Sequence, residues 1–218
     1  MREKIECELE RLQSEGVIPP VEFNDWASLI VPVLKGDGAA SICGDYKVTI
    51  NRLSMQDQYP LPKADDLFLT LAGGKSFTKL DLTSAYMTQE LDEESRKLTC
   101  INTHKGLFIY NRCPFGIRSA AAIFQRNMES LLKAVPKTVV FQDDILIVGC
   151  NTAEHLSNLE EVLRCLDKVA LRLKHEKCVF MGPKVVFLSR RVTAAGIMPC
   201  DSKVEAIKNT SNQENVSQ

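Results

Sequence analysis

The sequence predicts an α+β fold, a sheet covered on one face by helices. Two observations carry this. Short runs rich in β-branched and aromatic residues alternate with stretches of 3.6-residue apolar periodicity, and several of those runs come as hairpins. The clearest hairpin is TVVFQDDILIVG, Thr138 to Gly149, where Val139-Val140-Phe141 and Ile145-Leu146-Ile147-Val148 flank Gln142-Asp143-Asp144. The clearest helices are Ser119 to Lys133, with Ile123, Phe124, Met128, Leu131 and Leu132 on one face, and a longer one marked by Leu156, Leu159, Leu163, Leu166 and Val169 and capped near Thr152.

The remaining elements follow in order. Ile5, Leu9 and Leu12 recur at helical spacing, with acids early and Arg11 late, so residues 2–14 form an amphipathic helix ended by Gly16 and Pro19-Pro20. Ser28 to Leu34 reads as a strand, Lys35-Gly36-Asp37-Gly38 as a turn, and Ser41 to Lys47 as its partner; Pro32 marks the first strand as an edge. Asp65 to Leu71 reads as a short helix stopped by Gly73-Gly74. Ser76 to Tyr86 reads as a half-buried strand carrying Asp81, Lys97 to Thr103 and Leu107 to Tyr110 as a hairpin, and Lys184 to Thr193 as a further hairpin strand before Gly196.

Composition bounds the function. The 218 residues are 44% hydrophobic and 25% charged, ordinary for a globular chain with a real core. Eight cysteines without a Cys-x-x-Cys pair fit buried thiols in a reducing compartment, not a zinc site or disulfide framework. No apolar run approaches the ~20 residues needed to span a bilayer. The charged N-terminus is no signal peptide, so an intracellular protein, cytoplasmic or nuclear and not secreted, is expected. A formal net charge of −1 does not announce nucleic-acid binding, because phosphate neutralisation asks for basic surface. Such a surface must be local or supplied elsewhere.

The chemistry lies in the carboxylates. Asp is common in hairpin turns, so Asp143-Asp144 taken alone is ordinary turn chemistry. Two adjacent carboxylates beside buried strands nevertheless raise each other's pKa unless a cation lies between them, and a divalent metal removes that conflict. Asp81, among core-facing leucines, needs a partner of its own: a hydrogen bond, a salt bridge or a metal.

In order along the chain, EGVIPP, ICGDYKVTIN, DQYPLP, FTKLDLTSAY, NTHKGLFIYNRCPFGI, AIFQRNM, FQDDILIVG, EHLSNLEEVL, LKHEKCVF and VVFLSRRV resemble the reverse transcriptase of gypsy-type LTR retrotransposons, from about Glu6 to Ile207. The resemblance implies a right-hand polymerase with an antiparallel palm sheet: fingers over about 1–75 and part of 90–120, palm over about 76–90 and 120–207, a polar and disordered tail at 208–218, and no thumb. It implies an RNA-directed DNA polymerase adding dNTPs to a primer 3′-end on an RNA or DNA template, without a membrane. Two divalent ions ~3.5–4 Å apart carry that chemistry, and hard carboxylate oxygens suit Mg²⁺, with Mn²⁺ as the alternative.

By the same resemblance Asp81, Asp143 and Asp144 are the metal ligands and Leu82 offers a backbone carbonyl. Tyr86 rejects a 2′-hydroxyl, Phe115 and Gly116 line the nucleotide pocket, and Gln142 touches primer or nucleotide. Asp45 and Lys47 belong to the fingers hairpin, and Lys35 is a phosphate contact. Phe187, Leu188, Ser189 and Arg190 form the primer grip, and Lys177 lies near the leaving pyrophosphate.

Five residues depart from the pattern; Phe141 for tyrosine and Ala121 for proline are mild, and three bear on substrate contact. Ser41 stands where the family has an arginine for the triphosphate, and serine cannot replace its charge-assisted bidentate bonds, so weak nucleotide binding is expected. Gln142 replaces a small or apolar residue. Ser189 replaces a glycine, whose backbone freedom the position uses. Together with the expected lack of a thumb, these suggest an alternative: a catalytically weak or inactive retroelement remnant that keeps the fold as a nucleic-acid or protein interaction module.

Overall fold

The computed structural model describes residues 1–34, 36, 38–53 and 59–200. Lys35, part of DQYPLP and the polar tail lie outside the described residues. In chain order the elements are α1 (Arg2–Ser14), β1 (Pro20–Val21), β2 (Ser28–Leu34), β3 (Ala40–Gly44), α2 (Ile50–Leu53), α3 (Ala64–Thr70), β4 (Ser76–Asp81), α4 (Glu93–Leu98), β5 (Ile101–Thr103) and β6 (Gly106–Phe108). They continue with α5 (Ala120–Leu132), β7 (Thr138–Phe141), β8 (Asp144–Gly149), α6 (Thr152–Lys168), β9 (Val179–Gly182), β10 (Lys184–Phe187), β11 (Arg190–Thr193) and β12 (Gly196–Pro199). The chain divides into two compact units, Met1–Leu61 with Ser84–Asn127, and Pro62–Thr83 with the chain from Met128 onward.

The first unit holds a five-stranded sheet in the order β1-β6-β5-β2-β3. Its core joins Leu9, Leu12, Val17 and Ile18 to Ile42, Tyr46, Ile101, Phe108 and Tyr110. The polar face of α1 is tied to the β5–β6 turn by Lys105 Nζ on Glu10 at 2.7 Å and His104 Nε2 on Glu6 at 2.9 Å. Pro32 does not lie on an edge strand: β2 sits between β5 and β3. The parallel pairing to β5 involves only Ser28 and Leu29, however, so Pro32 lies where the far side of β2 has no ladder bond to lose. The partner strand stops at Gly44, short of Lys47. Residues 97–98 are helical rather than extended, because Asp92 caps α4 by accepting from the Ser95 N–H, with Glu93 and Glu94 in the first turn and Arg96 and Lys97 in the last.

The second unit contains an antiparallel sheet, β7-β8-β4-β9, and a smaller one, β10-β11-β12. The strand expected over Ser76 to Tyr86 ends at Asp81; Ser84 adopts a left-handed φ of 49° and opens a 3₁₀ turn. The hairpin strand expected over Lys184 to Thr193 is two strands, turning at Leu188-Ser189, and Gly196–Pro199 adds a third. Pairing of β4 with β8 places Phe77 opposite Val148, Lys79 opposite Leu146 and Asp81 opposite Asp144. One face of the sheet therefore carries Phe77, Leu146, Val148 and Val139, packed against Leu67, Phe68 and Leu71 of α3 and Val185, Phe187 and Val192 of the small sheet. The opposite face, with Thr78, meets α6.

The buried stripe of α6 is His155, Asn158, Val162, Cys165 and Leu166, which shares only Leu166 with the apolar row that periodicity picks out; Leu156 is 51% exposed and Leu163 38%. Polar contacts set this rotation. Thr78 Oγ1 lies 2.7 Å from His155 Nε2, and Asn158 Nδ2 donates to the Val148 carbonyl. A Cβ on Gly149 would come within 2.6 Å of the His155 backbone nitrogen, so the strand–helix junction closes only on glycine. The cap is Asn151, whose side chain accepts from the Glu154 N–H.

Candidate active site

Asp81 is the last residue of β4 and Asp144 the first of β8, and they are register partners at the open end of the sheet. Cross-strand partners project to the same face with Cβ atoms ~5 Å apart. Asp143 belongs to the two-residue turn with Gln142, which holds a left-handed φ of 54°. The Leu82 N–H donates to the Asp143 carbonyl at 2.9 Å, tying the end of β4 to that turn. On its other side Asp81 accepts from the Lys174 N–H at 2.8 Å. The main chain of Asp81 is thus fixed from two directions.

Both carboxylates are sequestered and both meet a lysine. Asp81 is only 7% exposed, and its Oδ2 lies 3.5 Å from Lys177 Nζ. Asp144 Oδ1 lies 3.0 Å from Lys79 Nζ, with both side chains largely covered. Lys79 follows from the pleat: two residues before Asp81, it shares the carboxylates' face and reaches diagonally to Asp144. Burial pushes the Asp144 carboxyl up; Lys79 opposes this by hydrogen bond and charge, and the Asp143 and Asp81 carboxylates push it further up. The charges of both Asp143 and Asp81 are therefore felt at Asp144. Among the described residues, though, no group of three or more acidic, His or Cys side chains is gathered closely enough to hold a metal ion.

Of the nucleotide-pocket candidates, Tyr86, Phe115, Gly116, Asp45 and Lys47 lie in the first unit, and Leu82 and Gln142 in the second. Tyr86 is packed edge-on against Phe115 and Phe124, with ring centroids 5.5 and 5.6 Å away. Gly116 has φ 99°, and a Cβ there would meet the Gly44 carbonyl at 2.8 Å. Asn51, which the sequence reading missed, holds this turn from both sides: Nδ2 donates to the Gly116 carbonyl and Oδ1 accepts from the Arg118 N–H, each at 2.8 Å. Asp45 Oδ1 accepts from the Lys47 N–H, and the Lys47 side chain is exposed. The primer-grip candidates surround the turn between β10 and β11. Phe187 is fully buried edge-on to Phe68, Leu188 and Ser189 have left-handed φ of 50° and 58°, and Arg190 lies over the Phe68 ring at 5.4 Å and pairs with Asp65 at 3.2 Å. Lys177, expected near pyrophosphate, is placed on Asp81.

Residues 42–192 match the family described as reverse transcriptase (RNA-dependent DNA polymerase). The chain belongs to the reverse transcriptase family. An uncharacterized Caenorhabditis elegans protein is 38% identical over 208 residues, covering 94% of this chain and 16% of its own length. The retrovirus-related Pol polyprotein from transposon 412 of Drosophila melanogaster is 33% identical over 214 residues, 95% of this chain and 17% of its own. The corresponding polyprotein from transposon gypsy of the same fly is 32% identical over 161 residues, 73% of this chain and 16% of its own. This reverse transcriptase chain spans about a fifth or less of the curated relatives it matches. Among solved structures, a foamy viral protease-reverse transcriptase in complex with double-stranded DNA matches with a TM-score of 0.90 at 23% identity, over 98% of this chain and 38% of that one. The same viral enzyme with an RNA/DNA hybrid matches with a TM-score of 0.86 at 21% identity, over 98% and 29%. These show the α+β reverse transcriptase fold. No helix among the described residues is long and apolar enough to cross a membrane.

Reverse transcriptases generally use divalent metal ions. The donor chemistry here fits such an ion: carboxylate oxygens on rigid adjacent strands, two of them balanced by ammonium groups where a cation is otherwise required.

Proposed function

We propose that this chain is an RNA-directed DNA polymerase domain of an LTR retrotransposon, extending a primer 3′-end with dNTPs on an RNA or DNA template. The observation that carries this reading is the register pairing of Asp81 with Asp144 beside Asp143 in the adjoining turn. Asp81, Asp143 and Asp144 would hold Mg²⁺ or Mn²⁺. Bound there, such ions supply activation of the 3′-hydroxyl and neutralisation of the charge developing on the triphosphate.

The protein's part is positioning. Hydrogen bonds from the Leu82 N–H to the Asp143 carbonyl and from the Lys174 N–H to the Asp81 carbonyl fix the backbone that carries the carboxylates. On the family pattern Tyr86, stiffened by Phe115 and Phe124, screens the sugar 2′-position, and Phe115 and Gly116 line the nucleotide pocket; Leu82 offers a backbone carbonyl and Gln142 touches primer or nucleotide; Asp45 and Lys47 belong to the fingers hairpin, and Lys35 is a phosphate contact. Leu188, Ser189 and Arg190 form the primer grip above buried Phe187. Residues of about 1–75 and part of 90–120 are read as fingers, and about 76–90 and 120–207 as palm.

Primer extension on an RNA template with Mg²⁺ or Mn²⁺, comparing wild type with Asp143→Asn, tests the reading. Extension abolished by the substitution is expected; no extension by the wild type at high dNTP sinks it. The second reading, a remnant that retains the fold for nucleic-acid or protein binding, is favoured by Ser41 and by the side chains held in left-handed backbone at Gln142 and Ser189. That outcome would be nucleic-acid retention without extension.

A further inference from the structure

We infer that Lys79 and Lys177 are resident counter-ions of the carboxylate site, which a divalent cation must displace. This rests on the metal reading of Asp81, Asp143 and Asp144 and adds two residues to it. Each lysine takes one carboxylate: Lys79 Nζ on Asp144 at 3.0 Å and Lys177 Nζ on Asp81 at 3.5 Å. Two ammonium groups among three aspartates leave one net negative charge. A divalent ion therefore approaches a site that is already largely neutralised, and its binding is a competition for the same oxygens.

The geometry makes Lys79 the stronger competitor. Its side chain is 20% exposed and that of Asp144 24%, so their attraction is poorly screened. On its own face of the sheet its neighbours are Phe77 and Asp81 along β4 and Leu146 across on β8. The polar partners beside it on that face are thus the site's own carboxylates, and its ammonium group lies on Asp144. Lys177 is 57% exposed and exchanges its partner for water more cheaply.

The displaced ammonium groups have a place to go. A groove of about 460 Å³ is lined by Lys79, Lys177, Lys184 and Arg191 together with Val179, Val185 and Val186, and its lining contains no carboxylate. Lys79 and Lys177 already form part of the wall of this basic groove while they pair with the carboxylates. Occupation of the carboxylates and the charge of that groove are coupled.

The test is Mn²⁺ binding by the full chain, read from the electron paramagnetic resonance signal of free Mn²⁺ at fixed ionic strength, without nucleotide or primer. Lys79→Met should tighten the Kd about three- to tenfold, the range of a partly screened charge pair, and Lys177→Met by about twofold. Lys79→Arg, which keeps the charge, should bind no tighter than wild type. Lys177→Met, at an exposed position, decides the matter should Lys79→Met fail to fold. A Kd unchanged or weakened in both methionine variants overturns the inference while leaving the metal site standing. Wild-type binding that persists undiminished in Asp144→Asn, or no binding at all, overturns the metal reading and the inference with it.

Discussion

Thr78 and His155 lock sheet and helix together in the second unit: Oγ1 and Nε2 lie 2.7 Å apart, and both residues are fully buried. The Thr78 hydroxyl also accepts from the Met181 N–H at 3.1 Å, so one oxygen links β4, β9 and α6. With that lone pair occupied, the hydroxyl hydrogen is available to His155, which suits a neutral ring. Burial pushes the His155 pKa below its ordinary value.

A pH dependence of stability follows. Because the folded pKa is lowered, the unfolded chain binds the proton more readily, and stability rises with pH across the interval between the two values. The contribution is complete above the unfolded value of about 6.5 and is lost progressively as pH falls from there toward the lower folded value. Denaturant unfolding between pH 8 and pH 5 should show this loss. His155→Gln should be less stable at pH 8, by about 1–2 kcal/mol, and should lack the slope between pH 7 and pH 5. An identical slope in both proteins would assign the dependence to other groups.

Asn51 is expected to matter more than its place in a loop suggests. Removing its amide strips partners from the Gly116 carbonyl and the Arg118 N–H together. Asn51→Ala should cost about 1–2 kcal/mol of stability and speed amide hydrogen exchange at residues 116–118. If this turn lines the nucleotide pocket, KM for dNTP should rise more than kcat falls. Unchanged exchange there would mean that the turn is held by packing alone.

Much of this was legible in the sequence, for identifiable reasons. The hairpin from Thr138 to Gly149 announces itself because β-branched runs flank a polar break, and its bounds agree with β7 and β8. Asp81 stands out as a carboxylate among leucines. What a linear reading could not give was register: that Asp81 faces Asp144, and that Lys79 reaches it diagonally, depends on pairing between distant strands. The orientation of α6 was misread because its buried face is anchored by His155 and Asn158, which apolar periodicity ignores. β9 escaped notice because it is short and bulged where it meets β4.

The turn between β10 and β11 stores strain that one substitution should release. Leu188 and Ser189 both hold positive φ, the conformation of a two-residue hairpin loop that favours Asn or Gly. Ser189→Gly should stabilise the protein by about 0.5–1 kcal/mol, raising Tm by about 1–4 °C, whereas Ser189→Val should lower it. Ser189 is exposed, so the effect should come from the backbone rather than from lost contacts. If glycine and valine variants melt together, the turn does not hold this geometry in solution.

Ser41 offers the sharpest separation of fold from function. It lies on β3 opposite Val33, and its neighbours Ala40 and Ile42 are the buried ones. An arginine at this position would emerge on the partly exposed face with Val31 and Val33, so Ser41→Arg should change stability by no more than about 0.5 kcal/mol. If that face meets a triphosphate, the guanidinium adds charge-assisted hydrogen bonds of about 1.5–3 kcal/mol, and the dNTP KM should fall about tenfold or more. Ground state and transition state gain equally from such a contact, so kcat should hardly move. Ser41→Gln, similar in reach but uncharged, should reproduce little of the gain. An unaltered KM in Ser41→Arg, with extension otherwise intact, would remove β3 from the nucleotide site and leave the carboxylate assignment untouched.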